Sequence, residues 1–171
     1  MDVILNLKDD QYEYIKITHT RKISRAVVIN EFNKVCLMHL NRNDDFGSYD
    51  YYETPGGGVK DKEDISSAVL REVKEETGCV CQVLKEVGIV SDYYNKIYRH
   101  NLNYYYLLKV ISYGEKELEE YEKDIFSEII WVDIDEAIRL LENMDDKMIP
   151  LLVKRRELPI YKFAKEYINN Y

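Results

Sequence analysis

Cysteine is scarce in this chain: Cys36, Cys79 and Cys81 are an odd number, with two of them nearly adjacent. That excludes a disulfide framework and fits a reducing compartment, so a cytoplasmic protein is expected. No apolar run approaches the roughly 20 residues that span a bilayer. The opening MDVILNLKDD has acidic rather than basic flanks, unlike an export signal. Positive charge is in deficit, 24 Lys and Arg against 32 Asp and Glu, which disfavours a nucleic-acid or anionic-membrane surface. Neither repeats nor low-complexity tracts occur, and with 46% hydrophobic residues the chain has too much apolar content for disorder.

What the chain has is tyrosine, 16 residues against four phenylalanines, so much of its large-side-chain burial must satisfy a hydroxyl. Its 171 residues suit one domain with a small extension. Val3 to Leu7 and Tyr12 to Ile17 read as two short strands around Lys8-Asp9-Asp10, a hairpin over residues 1–22 that would serve as an edge or a homodimer arm. Arg25 to Ile29 and Val35 to Leu40 form a second hairpin around Asn30-Glu31-Phe32-Asn33. Asn41 to Asp50 reads as a polar loop. Tyr51 to Thr54 runs extended into Pro55 and three glycines, Gly56 to Gly58.

Asp61 to Thr77 reads as a helix, capped by Asp61 or Asp64 and stopped by Gly78. Val80 to Val90 and Leu102 to Ile111 are strands, the second central, and Ser91 to Asn101 separates them. Glu128 to Val132 is a further strand. Asp133 with Glu136 makes a capping-box start for a helix to about Met144. Beyond it, residues 145–171 carry helical periodicity interrupted at Pro159, giving one or two terminal helices.

Chemistry concentrates on the helix to Thr77. At about 100° per residue, Glu72 and Glu76 project within roughly 40° of each other with Glu75 at the border. The same arc carries Val69 and Val73, so carboxylates interrupt an apolar stripe, which costs energy unless a cation pairs with them. Hard oxygen donors at i, i+3 and i+4 suit Mg²⁺ or Mn²⁺. Three glutamates can also fall together by chance in an acidic chain; the surrounding frame separates the two readings. Gly57, five residues, Glu63, seven residues, Arg71-Glu72-Val73, one residue, Glu75-Glu76, one residue and Gly78 resembles the Nudix box, Gly-x5-Glu-x7-Arg-Glu-U-x-Glu-Glu-x-Gly-U, where U is a bulky aliphatic residue. At usages of roughly 7% per residue type, its seven fixed identities would coincide about once in 10⁸ starting positions. Cys79 departs from the last aliphatic position but is apolar enough to pack.

Resemblance to the Nudix (MutT-like) hydrolases, looser outside the box, extends over residues 23–144. It implies an α+β fold, an α/β/α sandwich with a mixed sheet, to which residues 145–171 add a C-terminal helical extension. It further implies Mg²⁺-dependent hydrolysis of a nucleoside diphosphate linked to another moiety: a nucleoside triphosphate, nucleotide sugar or dinucleoside polyphosphate. Carried over by position, Glu72, Glu75, Glu76 and the Gly57 carbonyl would hold the metal, Arg71 would orient a glutamate, and Glu63 would pair with Arg71. The general base would come from Glu72 or Glu75, or from the acidic connection. Glu115 to Glu128 holds seven acidic and two basic residues, among them the candidates Glu120, Glu122 and Glu128. Arg25 and Tyr52 are candidate substrate contacts, and Tyr49 and Tyr51 could stack on a base. Two alternatives are a nucleotide-sensing module that does not cleave and an RNA 5′-end pyrophosphohydrolase, for which Lys154-Arg155-Arg156 is the only dense basic cluster.

Overall fold

The computed structural model describes residues 1–118 and 126–170. Eight strands form one mixed sheet: β1 (Val3–Asn6), β2 (His19–Ile29), β3 (Val35–Asp44), β4 (Gly47–Glu53), β5 (Gly56–Gly58), β6 (Cys79–Tyr94), β7 (Arg99–Tyr113) and β8 (Phe126–Val132). The order is β1-β6-β7-β2-β3-β4, with β5 paired to β2 and β8 to β3. Alternation along the central strands sends side chains to two separate cores. Ala26, Val28, Tyr106 and Leu108 meet Val69 and Val73 of helix α1 (Ile65–Thr77). Val27, Ile29, Tyr105 and Leu107 meet helices α2 (Ile134–Glu142) and α3 (Met148–Asn170) on the other face. The result is the expected α/β/α sandwich. Cys36, Cys79 and Cys81 are all free and buried in the α1 layer. Burial pushes each thiol up, Cys81 to about 12.

Several expectations are redrawn. The hairpin at the start does not form: β1 runs parallel to β6, and Tyr12 to Ile17 carries no strand. Gly88 makes this edge possible, because a Cβ there would lie 2.7 Å from Ile4. The loop read over Asn41 to Asp50 is instead the β3–β4 hairpin, with Met38↔Glu53 through Asp44↔Gly47 in register. Its outward residues are polar, which hid the strand period. The segment Ser91 to Asn101 is mostly strand as well, since β6 and β7 continue in register to Tyr94↔Arg99 around a single 3-10 turn. Helix α2 starts where expected, but Asp133 pairs with Lys34 at 2.7 Å and Glu136 with Arg139, so no capping box closes.

Helix α3 runs through Pro159 without stopping. The proline removes one backbone N–H, but residues on both sides of it, Arg156, Glu157, Ile160, Tyr161 and Ala164, are buried against the sheet and hold the rod together. No helix of the described residues is long and apolar enough to cross a membrane.

One buried carboxylate joins α3 to the sheet. Glu157, fully buried, accepts from Tyr105 Oη at 2.8 Å, Arg156 Nε at 2.9 Å and the Thr54 hydroxyl. Arg156 also reaches Glu53 at 2.5 Å and Asp92 at 3.3 Å. Removing the acceptor strands several buried donors at once. We expect Glu157→Ala to cost about 3–5 kcal/mol in urea unfolding, with Glu157→Gln recovering part of it.

Candidate functional site

Strand β2 has two partners on one side, and this opens the site. It meets β3 only at Ile29↔Val35 and, toward its start, pairs with β5 through Ile23↔Gly58, Ser24↔Gly57 and Arg25↔Gly56. The glycines are required by close approach. A Cβ on Gly56, which sits at φ 150°, would strike the Ser24 carbonyl, and one on Gly57 would strike the Glu72 carboxylate. The Gly56 N–H donates to Glu76 Oε2 at 2.8 Å. Box helix and glycine strand are therefore locked together by direct carboxylate-to-backbone contact.

Helix α1 is begun by Asp64, whose carboxylate accepts from the Ser66 and Ser67 N–H groups, and ended by Gly78 in the left-handed region at φ 75°. Its inward face buries Glu72 at 9% exposure and Glu76 at 5%, beside Val69 and Val73, as the wheel predicted. Arg71 is the hub of the remaining charge. Its guanidinium meets Glu63 with two bonds of 2.7 and 2.8 Å, Glu72 at 2.7 Å, Glu75 at 2.9 Å and the Gly58 carbonyl at 3.2 Å. Hydrogen bonds from Arg71 hold the Glu63 carboxyl down at about 2, and the same bonds raise the guanidinium above its ordinary value. One guanidinium thus fixes the rotamers of three glutamates.

A divalent cation fits this donor set. The four glutamates outweigh Arg71 by three negative charges, two of them are buried, and every donor is a hard oxygen. Among the described residues no three His, Cys, Asp or Glu side chains are grouped so as to hold a metal ion by themselves. Oxygens of a bound ligand would have to complete the coordination of a cation here.

Between the sheet and α3 lies a cavity of about 150 Å³, lined by Arg25, Arg42, Arg99 and Arg156, with Glu53, Asp92 and Asn101 and the tyrosines Tyr51, Tyr93 and Tyr94. Arg25 is held by Glu53 at 2.8 Å, Asn103 at 3.2 Å and the Thr54 carbonyl at 3.2 Å. Arg42 is held by Asp44 at 2.6 Å. Among the described residues Arg99 has no such partner: its Nε is buried without a hydrogen bond, and burial, with Arg21 and Arg25 nearby, lowers its pKa to about 10.

The expected site residues divide into groups. Gly57, Glu63, Arg71, Glu72, Glu75 and Glu76 converge, and Arg25 reaches the cavity. Tyr52 does not line the cavity; its ring stacks on His39 at 4.9 Å, and Tyr51 stands in the wall instead. Glu128 sits on β8, where its hydrogen bond among the described residues goes to His39 Nδ1 at 3.4 Å. Glu120 and Glu122 lie outside the described residues. The acidic connection begins against the box helix, however, for the Gly114 N–H bonds to the Gly78 carbonyl and the Glu117 N–H to the Glu75 carbonyl, both at 2.7 Å.

Sequence reading missed Arg42, Arg99, Asp92 and Glu53, which no motif marks. The basic cluster it did mark is paired with carboxylates. Lys154 bonds to Asp146 at 2.6 Å, Arg155 to Asp10 at 2.7 Å, and Arg156 lies in the buried network.

A family model described as the NUDIX domain matches residues 20–152. An ADP-ribose pyrophosphatase of Methanocaldococcus jannaschii is 32% identical over 85 residues, 50% of this chain and 48% of that one. Nudix hydrolase 7 of Arabidopsis thaliana is 27% identical over 127 residues, 74% and 44% of the two chains. The chain thus spans about half the length of the curated relatives it matches. In fold it is similar to a NUDIX hydrolase from Nitrosomonas europaea, with TM-score 0.64 and 21% identity over 86% of this chain and 90% of that one. It is likewise similar to a MutT protein from Methanosarcina mazei, with TM-score 0.61 and 18% identity over 90% and 99%.

The hub makes a specific demand on residue 71. We expect Arg71→Gln to lower unfolding free energy by about 1–3 kcal/mol, and Arg71→Lys to restore only part, because an ammonium cannot bind Glu63 through a planar fork. Full recovery in the lysine variant would show that charge alone is enough.

Proposed function

Because this chain belongs to the NUDIX domain family, we propose that it hydrolyses a diphosphate linkage in a nucleoside diphosphate joined to another moiety, using Mg²⁺ or Mn²⁺. The observation that carries the reading is the placement of Glu72 and Glu76 against the backbone of the glycine strand, with Glu75 of the same helix tied beside them through Arg71. A diphosphate brings negative charge to a site that is already negative, and a divalent cation bound there supplies the bridging charge and makes the attacking water more acidic.

Glu72, Glu75, Glu76 and the Gly57 carbonyl are the groups that would hold it. Arg71 keeps Glu72 and Glu75 aimed, and Glu63 keeps Arg71 from swinging away. A carboxylate must take the proton from water as it attacks phosphorus. Glu75, the more exposed of the box glutamates on the hub, is one acceptor; Glu120, Glu122 and Glu128 on the acidic connection are the others. All box glutamates are present, which favours cleavage over a sensing role. Lys154, Arg155 and Arg156 each pair with a carboxylate, Arg155 at the surface, which disfavours a basic path for an RNA backbone.

The test is a screen of nucleotides with Mg²⁺, reading released phosphate or pyrophosphate. Hydrolysis is expected to stop in excess chelator and to rise toward alkaline pH, as the water must lose its proton amid carboxylates. Glu76→Gln should keep the fold and lower turnover by at least about 10³-fold. Full activity in chelator would refute the reading.

The base is assigned by comparing Glu120→Gln, Glu122→Gln and Glu128→Gln. One is expected to lower turnover by about 10²-fold or more at unchanged melting temperature, as for loss of a positioned base. Near-normal turnover in all three would return the role to the box helix.

A further inference from the structure

Of the four arginines around the cavity on the α3 face, one lacks an ion pair of its own. Arg25, Arg42 and Arg156 each have an acidic partner within 2.8 Å, whereas Arg99 has no ion pair among the described residues. Beside it on β7, Asn101 also lines the cavity and is buried, and its amide nitrogen can donate to an oxyanion. Across the β2–β7 ladder, Arg21 lies opposite Asn101 and His19 opposite Arg99. Arg21 lays its guanidinium over Gly58, where a Cβ would strike it. A file of Arg99, Asn101 and Arg21 therefore leads from the cavity to the strand that touches the box carboxylates.

Leaving a guanidinium half-buried and unpaired costs free energy in the apo protein, and an oxyanion recovers it through charge-assisted hydrogen bonds. Size narrows the choice. At about 150 Å³ the cavity is half the roughly 300 Å³ at which sites for whole small molecules begin, so it takes a fragment rather than a nucleoside.

We propose that Arg99, Asn101 and Arg21 form a subsite for a phosphoryl group beyond the scissile diphosphate, so that this chain prefers substrates with an extended phosphate chain, nucleoside triphosphates or dinucleoside polyphosphates, over nucleotide sugars. A neutral sugar at this place leaves the guanidinium desolvated and unpaired, the kind of mismatch that discriminates strongly between substrates. The substrate preference rests on the hydrolase reading above; the anion subsite does not.

Two measurements separate them. Inorganic triphosphate binding is followed by calorimetry without metal, for the intact chain and for Arg99→Gln and the exposed-site variant Arg21→Gln. Affinity should fall by at least about tenfold in Arg99→Gln, the scale of one charge-assisted hydrogen bond, and measurably in Arg21→Gln, whose position tolerates substitution. Next, kcat/KM is compared with Mg²⁺ for adenosine triphosphate, diadenosine tetraphosphate, ADP-ribose and a nucleotide sugar. The first two should exceed the last two by at least about tenfold, and Arg99→Gln should erase that margin by lowering only the first two. Triphosphate binding that is unchanged in Arg21→Gln and in any folded Arg99 variant overturns the subsite, as does a preference for sugars that Arg99→Gln leaves alone. Arg99-dependent binding without hydrolysis of any substrate supports the subsite and overturns the hydrolase reading alone.

Discussion

Three consecutive glycines constrain the rest of the site. Only a strand without side chains can lie so close to β2 on one surface and to Glu72 on the other, and its backbone then offers an N–H to Glu76 and a carbonyl to Arg71. Because β5 pairs with the middle of β2 at Ile23 to Arg25, β3 meets β2 only at Ile29 and diverges, with the box helix on one face of the sheet and the arginine-lined cavity against α3 on the other. Carboxylates predominate around the box helix on one face, while the cavity on the other mixes arginines from the strands and α3 with Glu53 and Asp92.

Arg71 and Arg156 solve the same problem in different ways. Each gathers three carboxylates around one guanidinium. Around Arg71 the shell is partly open and retains excess negative charge, which suits a site that accepts a cation. Around Arg156 the shell is closed, with Tyr105 and Thr54 satisfying the remaining oxygens of Glu157, which suits an anchor. Burial and completeness of hydrogen bonding, rather than residue type, distinguish binding charge from structural charge here.

The box was legible because its chemistry is local: glutamates on one helix face, a capping aspartate, a terminal glycine and a preceding glycine run all lie within one short stretch of chain. The α/β/α layering followed from the same frame and from the period of the apolar runs. What stayed hidden depends on pairing between distant segments. Arg99 and Arg25 stand 74 positions apart and gain meaning only once β2 and β7 run side by side. The β3–β4 hairpin was obscured because its exposed half alternates among polar residues, and the continuity of α3 through Pro159 reflects packing on both sides of the proline, which no local rule reports. The parallel docking of β1 on β6 likewise depends on Gly88, 84 positions from the Ile4 side chain it admits.

The three thiols sealed beneath α1 give the molecule an internal reporter. Burial keeps each of them protonated at neutral pH, and thiolate is the form that alkylating reagents attack. Cys36 lies on β3, at the divergence of the sheet, while Cys79 and Cys81 lie on β6 just past the box helix. Reaction with a maleimide therefore has to wait for the layer between α1 and the sheet to separate. Its rate measures how often the platform bearing the box glutamates lifts from its foundation, a motion that can be followed without knowing any substrate.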